Sequence, residues 1–157
     1  MNGETNLDRS DLILWRHAEA VDSEPDFDRE LTRRGRRQAA KAARWLAKRL
    51  PSDARILVSP AARAQKTALA LTDDFETDGR LAVGADAPTV LASIGYPPLA
   101  RVSVVVGHQP TLGLVASYLL LGAPVDWPIP KGGIVWLRQR VNDKRPRLRA
   151  AIAPSLL

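Results

Sequence analysis

Cysteine is absent from the 157 residues, so disulfides, thiol nucleophiles and thiolate metal sites are all excluded. Aromatic residues make up only 5% of the chain, which leaves little to stack on nucleic-acid bases. The tryptophans Trp15, Trp45, Trp127 and Trp136 are scattered and read as packing residues rather than as one stacking platform. The longest apolar stretch, Leu112 to Ala123, contains Ser117 and is too short to span a bilayer. The first ten residues are polar, and the expectation is a flexible leader over 1–10 rather than an export signal, with a cytoplasmic location. Histidine is scarce as well: the chain has two, His17 and His108.

A hydrophobic fraction of 45% and a charged fraction of 25% are ordinary for a globular protein. The length suits one domain over residues 1–157 with a core of its own. The formal net charge is +6, and clustered cations invite a nucleic-acid reading. Their placement weakens it. Arg33, Arg37, Lys41, Arg44 and Lys48 recur every three or four residues and so share one helix face, while Ala39, Ala43, Leu46 and Leu50 share another, the buried one. A solvated basic face is the plain reading, and its field also suits the attraction of a phosphorylated substrate.

Along the chain, apolar strand patterns alternate with helical ones. Asp11 to Trp15 reads as a buried strand, Ala20 to Glu30 as an acidic loop around Pro25, and Thr32 as the cap of a helix running to about Leu50. Arg55 to Val58 is a second strand, and Ser59-Pro60 reads as the cap and first turn of a helix to about Leu71. Thr72 to Gly79 is expected as an acidic turn, Arg80 to Val83 as a short edge strand, and Pro88 to Ile94 as a helix closed by Gly95 and Pro97-Pro98. Val102 to Val106 is the third strong strand, and Thr111 to Leu121 an apolar helix ending at Gly122. Ile134 to Arg140 alternates as a strand, with Arg147 to Ile152 placed to pair with it. The alternation predicts a three-layer α/β/α sandwich with a mostly parallel central sheet.

Three stretches share one grammar: buried strand, polar tip, helix. They end in Arg16-His17, in Ser59-Pro60 with Arg63, and in Gly107-His108. Strand ends in such a sheet lie side by side, so these residues can converge. Two guanidiniums match the oxygens of a phosphoryl group, and an imidazole is a competent nucleophile toward phosphorus. None of these motifs carries a carboxylate at its tip.

In these stretches the sequence resembles the histidine phosphatase superfamily, of phosphoglycerate mutase-like fold, and within it the bacterial SixA-type phosphohistidine phosphatases. The resemblance rests on Leu14 to Ala20, Leu31 to Gly35, Val58 to Thr67 and Val106 to Leu112, which arrive in the family's order. It implies that His17 is the nucleophile that becomes phosphorylated, and that Arg16, Arg63 and His108 form the phosphate pocket. It implies no metal and no cofactor, since the cations supply the charge compensation. The implied partner is a phosphorylated protein, a histidine-containing phosphotransfer protein, with neither membrane nor nucleic acid involved. Ala18 stands where the superfamily usually has glycine. The candidate proton donor is Asp86, which also reads as the cap of the helix beginning near Pro88, and Glu19 is expected on the rim or bonded to an arginine. The alternatives are a phosphatase of small phosphate esters or sugar phosphates and, third, a non-catalytic nucleic-acid-binding module.

Overall fold

The computed structural model describes residues 8–97 and 101–157. Its strands are β1 (Arg9–Arg16), β2 (Arg55–Val58), β3 (Glu76–Thr77), β4 (Val102–Gly107), β5 (Ile134–Arg140) and β6 (Arg147–Ile152). Its helices are α1 (Arg33–Ala47), α2 (Ala62–Leu69), α3 (Ala87–Ile94) and α4 (Thr111–Leu121). They build one six-stranded sheet in the order β3-β2-β4-β1-β5-β6. From β3 to β1 the pairings are parallel, and β5 and β6 add an antiparallel flank.

Strand periodicity of two puts alternate side chains of β1 on opposite faces, and each face is covered by helices. Leu12 and Leu14 join Leu57, Val105, Val135 and Leu137 beneath Val90 and Ile94 of α3 and Leu112, Val115 and Leu119 of α4. Ile13 and Trp15 join Ile56, Val58, Val104, Val106 and Trp136 beneath Ala42, Ala43 and Leu46 of α1 and Ala64 and Ala68 of α2. These are the expected three layers. The tryptophans pack as read: Trp15 and Trp136 are buried, Trp45 meets Trp136 edge-on at 5.9 Å, and Trp127 leans on the first core.

A buried carboxylate ties the antiparallel flank together. Asp11 on β1 accepts from Arg138 on β5 at 2.7 and 2.8 Å, from Trp136 Nε1 at 2.9 Å and from Arg149 on β6 at 3.1 Å. Burial alone would raise its pKa, but these donors and their charges hold it below the usual carboxylate value.

Several readings differ from the structure, the first being the end of α1, which stops at Ala47 rather than at about Leu50. Part of the expected leader is structured, because Arg9 and Ser10 already belong to β1; residues 1–7 lie outside the described residues, as does Pro98. Arg80–Val83 is not an edge strand. The edge strand is Glu76–Thr77, and Gly79–Leu81 forms a 3-10 turn capped by Asp78, whose side chain accepts from the Arg80 amide. Helix α2 is shorter than expected, ending at Leu69 as the Leu71 amide bonds back to Ala68 in a tighter turn. Nor does Ser59 cap that helix. Ala61, which has no polar side chain, occupies the cap position, while the Ser59 hydroxyl bonds to His108.

Candidate active site

The C-terminal tips of β1, β2 and β4 bring His17, Arg63 and His108 together. The His17 amide bonds to the Gly107 carbonyl at 3.0 Å, and the Ser59 amide to the Val106 carbonyl at 3.0 Å. The two imidazoles lie with ring centroids 5.2 Å apart. All three side chains are buried, at 8%, 3% and 4% exposure, which is unusual for so many titratable groups without a function.

His17 has a defined orientation. Its Nδ1 lies 2.8 Å from the Ala18 carbonyl, an acceptor only, so Nδ1 carries the proton and Nε2 keeps its lone pair. Arg63 Nε donates toward that Nε2 at 3.3 Å. Burial, and after it the charges of Arg63, Arg16 and Arg29, push the His17 pKa down to about 4, against the opposing bond to Ala18. The ring is therefore neutral at physiological pH, with a free nitrogen aimed at a guanidinium.

His108 Nε2 shares a hydrogen bond of 2.7 Å with Ser59 Oγ, which also accepts from the Ala61 amide at 3.3 Å. Burial, followed by the neighbouring His17 and Arg63, pushes the His108 pKa down to about 3. Its Nδ1 is buried without a partner, and so is Arg16 Nε. Buried polar atoms are rarely left unpaired, and two beside His17 fit a site built to receive a polar ligand. Arg16 is held by its Nη1 bond to the Ile129 carbonyl at 2.7 Å, and burial lowers its pKa.

The surrounding motif residues act as braces. Thr67, one turn beyond Arg63 on α2, accepts from the Ala18 amide at 2.9 Å and donates to the Arg63 carbonyl at 2.7 Å. Gln65 points the other way and donates to the Ser59 carbonyl at 2.8 Å. The start of α1 is bolted to the strand tip: Thr32 caps the helix by accepting from the Gly35 amide, its own amide bonds to the Glu19 carbonyl, and its hydroxyl donates to Glu19 Oε1 at 2.9 Å. A Cβ on Gly35 would sit 1.9 Å from the Glu19 carbonyl oxygen, so only glycine permits this approach. Ala18 is buried with Leu31 and Ala39, which accommodates its methyl group.

Two expected acids are placed clearly. Glu19 is turned toward α1, bonded to Thr32 and 3.8 Å from Arg34. Asp86 caps α3 by accepting from the Thr89 amide at 2.8 Å, which lowers its pKa. The carboxylate that meets the histidine–arginine cluster is Asp26, from the acidic loop, with Oδ2 3.2 Å from Arg63 Nη2. Sequence reasoning missed Asp26, because one acid among several in a loop has no periodicity to mark it. It also missed the 129–133 segment, where the Gly132 amide holds the His17 carbonyl at 3.1 Å and the Gly133 carbonyl holds the Arg16 amide at 3.0 Å. Among the described residues, no group of three or more His, Cys, Asp or Glu side chains could hold a metal ion.

The family model for the histidine phosphatase superfamily (branch 1) matches residues 12–82, which span the His17 and Arg63 motifs. A structure from Agrobacterium tumefaciens, assigned as a phosphohistidine phosphatase SixA, shares 30% identity with a TM-score of 0.75, over 94% of this chain and 98% of that one. The chain belongs to the histidine phosphatase superfamily. A second structure so assigned, from Nakamurella multipartitia, shares 26% identity over 93% of this chain and 96% of that one, with a TM-score of 0.75. An uncharacterised Mycobacterium tuberculosis protein is 37% identical over 143 residues, covering 87% of this chain and 84% of that protein. This histidine phosphatase therefore has the phosphoglycerate mutase-like fold and is a phosphatase, as the resemblance implied.

Proposed function

We propose that this histidine phosphatase hydrolyses phosphohistidine on a protein partner through a covalent phospho-His17 intermediate. The observation that carries the reading is the His17 ring itself, with Nδ1 protonated against Ala18 and the Nε2 lone pair directed at Arg63. Nε2 attacks phosphorus as the bond to the leaving nitrogen breaks, and the fixed Nδ1 proton lets the phosphorylated ring stay oriented. Arg16, Arg63 and His108 surround the transferred group and compensate charge on its oxygens. Water then cleaves the phospho-His17 bond and releases inorganic phosphate. The charge compensation comes from side chains, so the reading needs neither metal nor cofactor.

The substrate class follows from the acids. A serine or sugar alkoxide is a basic leaving group that needs a proton delivered as the bond breaks. Asp86 is committed to the α3 cap, and Asp26 is paired with cations that favour its ionised form. A protonated phosphoimidazole leaves as neutral imidazole, whose conjugate acid has a pKa of about 6.5, and needs no dedicated acid. The relatives assigned as SixA point the same way. The partner that fits is a histidine-containing phosphotransfer protein.

The test is to quench the enzyme during turnover and locate the phosphate. An acid-labile phosphate on His17, absent in His17→Ala, is the expected result, with phosphohistidine protein turned over faster than phosphoserine peptide or sugar phosphate. Phosphate trapped on another residue overturns the mechanism. Efficient turnover of the alkyl esters, lost in Asp86→Asn, would put the small-ester reading in first place.

A further inference from the structure

The loop between β1 and α1 brings to the site a carboxylate that none of the strand-tip motifs contains. Asp26 Oδ2 lies 3.2 Å from Arg63 Nη2, and the Asp26 carbonyl accepts from Arg63 Nη1 at 2.9 Å. On its other side Asp26 Oδ1 accepts from Arg29 Nη1 at 3.3 Å. The Arg63 side chain is 4% exposed and that of Asp26 52%, so a buried cation faces a counterion standing in solvent.

The Nε–Nη2 edge of a guanidinium can grip an oxyanion with two parallel bonds. Arg55 uses this edge on Glu76, and Arg138 uses it on Asp11. In Arg63 the edge is divided, Nε going to His17 Nε2 and Nη2 to Asp26. A phosphoryl group seated on His17 Nε2 therefore arrives directly beside the Asp26 carboxylate. Burial opposes ionisation of Asp26, but the bonds and charges of Arg63 and Arg29 together outweigh it and hold the pKa below the usual value. The loop thus sets a carboxylate against the same guanidinium that meets His17 Nε2, the nitrogen assigned to receive the phosphoryl group.

We propose that Asp26 is a specificity-determining residue, selecting phosphoryl donors with a cationic leaving group and rejecting phosphate monoesters that carry a second anion. The proposal rests on the assignment of His17 as nucleophile and deepens the substrate reading. A carboxylate beside a phosphoimidazole ring favours the protonated ring, which is the form that leaves as neutral imidazole. The same carboxylate repels an ester whose remaining portion is itself negative, such as a phosphoglycerate.

Asp26→Asn keeps the shape and an oxygen for the arginines but removes the charge. The measurement is kcat/KM for a phosphohistidine peptide, 3-phosphoglycerate and p-nitrophenyl phosphate, in the native enzyme and the variant. Relative to p-nitrophenyl phosphate, the variant is expected to lose about tenfold on phosphohistidine and gain about tenfold on 3-phosphoglycerate. A residue that merely positions Arg63 would lower all three together and leave the ratios unchanged, which overturns the proposal. Should the native enzyme cleave p-nitrophenyl phosphate but not phosphohistidine, the phosphohistidine reading fails on its own. The 3-phosphoglycerate ratio still decides the role of Asp26 in that case.

Discussion

At the scale of single residues, the site depends on keeping charged and neutral forms apart in a small buried volume. Arg63 is buried and donates to His17 Nε2, and the proposed mechanism gives it a place around the transferred phosphoryl group. Arg63→Ala is expected to lower kcat about a hundredfold, the order found for removing one transition-state donor, and steady-state kinetics on p-nitrophenyl phosphate checks it. The scarcity of histidine makes a second prediction easy to read, because two imidazoles give two sets of NMR resonances. Titration is expected near pH 4 for His17 and near pH 3 for His108, both below the ordinary value of 6.5. The sign for stability follows. Both folded-state values are depressed, so the unfolded chain binds more protons below pH 6.5, and stability present above that pH is lost as it falls toward 4 and then 3. Thermal denaturation across that window is expected to show a falling midpoint, with a shallower fall in His17→Ala.

At the scale of elements, α1 matters less for its basic face than for the point where its first turn meets the strand tip. Gly35→Ala drives a methyl group into the Glu19 carbonyl, two residues from His17. The expected cost is about 1–3 kcal/mol in urea unfolding, typical of overpacking, together with reduced turnover as the strand tip shifts. This contact was readable as a motif, Leu31 to Gly35, but its cause was not, because close backbone approach leaves no trace in hydrophobic pattern. The same division runs through the molecule. Strands β1, β2 and β4 were legible because buried strands are apolar runs, and their tips carried Arg16, His17 and His108 with them. Arg63 was legible through the resemblance of Val58 to Thr67 to the family's motif. Ser59 before Pro60 suits a helix cap, a place beside the phosphate, or both, and only the position of His108 decides between them. Asp26 and the 129–133 segment were invisible, since they act through loop backbone and a single charge rather than through any repeating pattern.

At the scale of the molecule, the charge is lopsided. The net value is +6, and Arg33, Arg37, Arg44 and Lys48 are exposed on the outer face of α1. Arg34, on the same first turn, lies 3.8 Å from Glu19, so this positive face begins close to the site. Long-range attraction of a phosphorylated substrate acts on encounter and is screened by salt. Raising sodium chloride from about 0.05 to about 0.5 M is expected to lower kcat/KM for a phosphorylated protein several-fold with little change in kcat. A flat salt profile would show that the basic face does not take part in capture.

The position of β1 in the sheet has a further consequence. The strand that leads into His17 begins at residue 9, yet both neighbours that hold it in place come much later, β4 at residue 102 and β5 at residue 134. Trp15 finds the Gly132 carbonyl across 117 residues, and Asp11 finds Arg138 across 127. Loops of that length must close before these contacts return any energy, which makes assembly slow and late. During synthesis, every element from β2 to α4 is made before the first strand acquires its second neighbour. Until then β1 keeps one open edge, which is prone to wrong pairing. A chain truncated before Ile134 keeps Arg16, His17, Arg63 and His108 but lacks the strand that pairs with β1 on its far side, and it is expected to show no turnover of p-nitrophenyl phosphate.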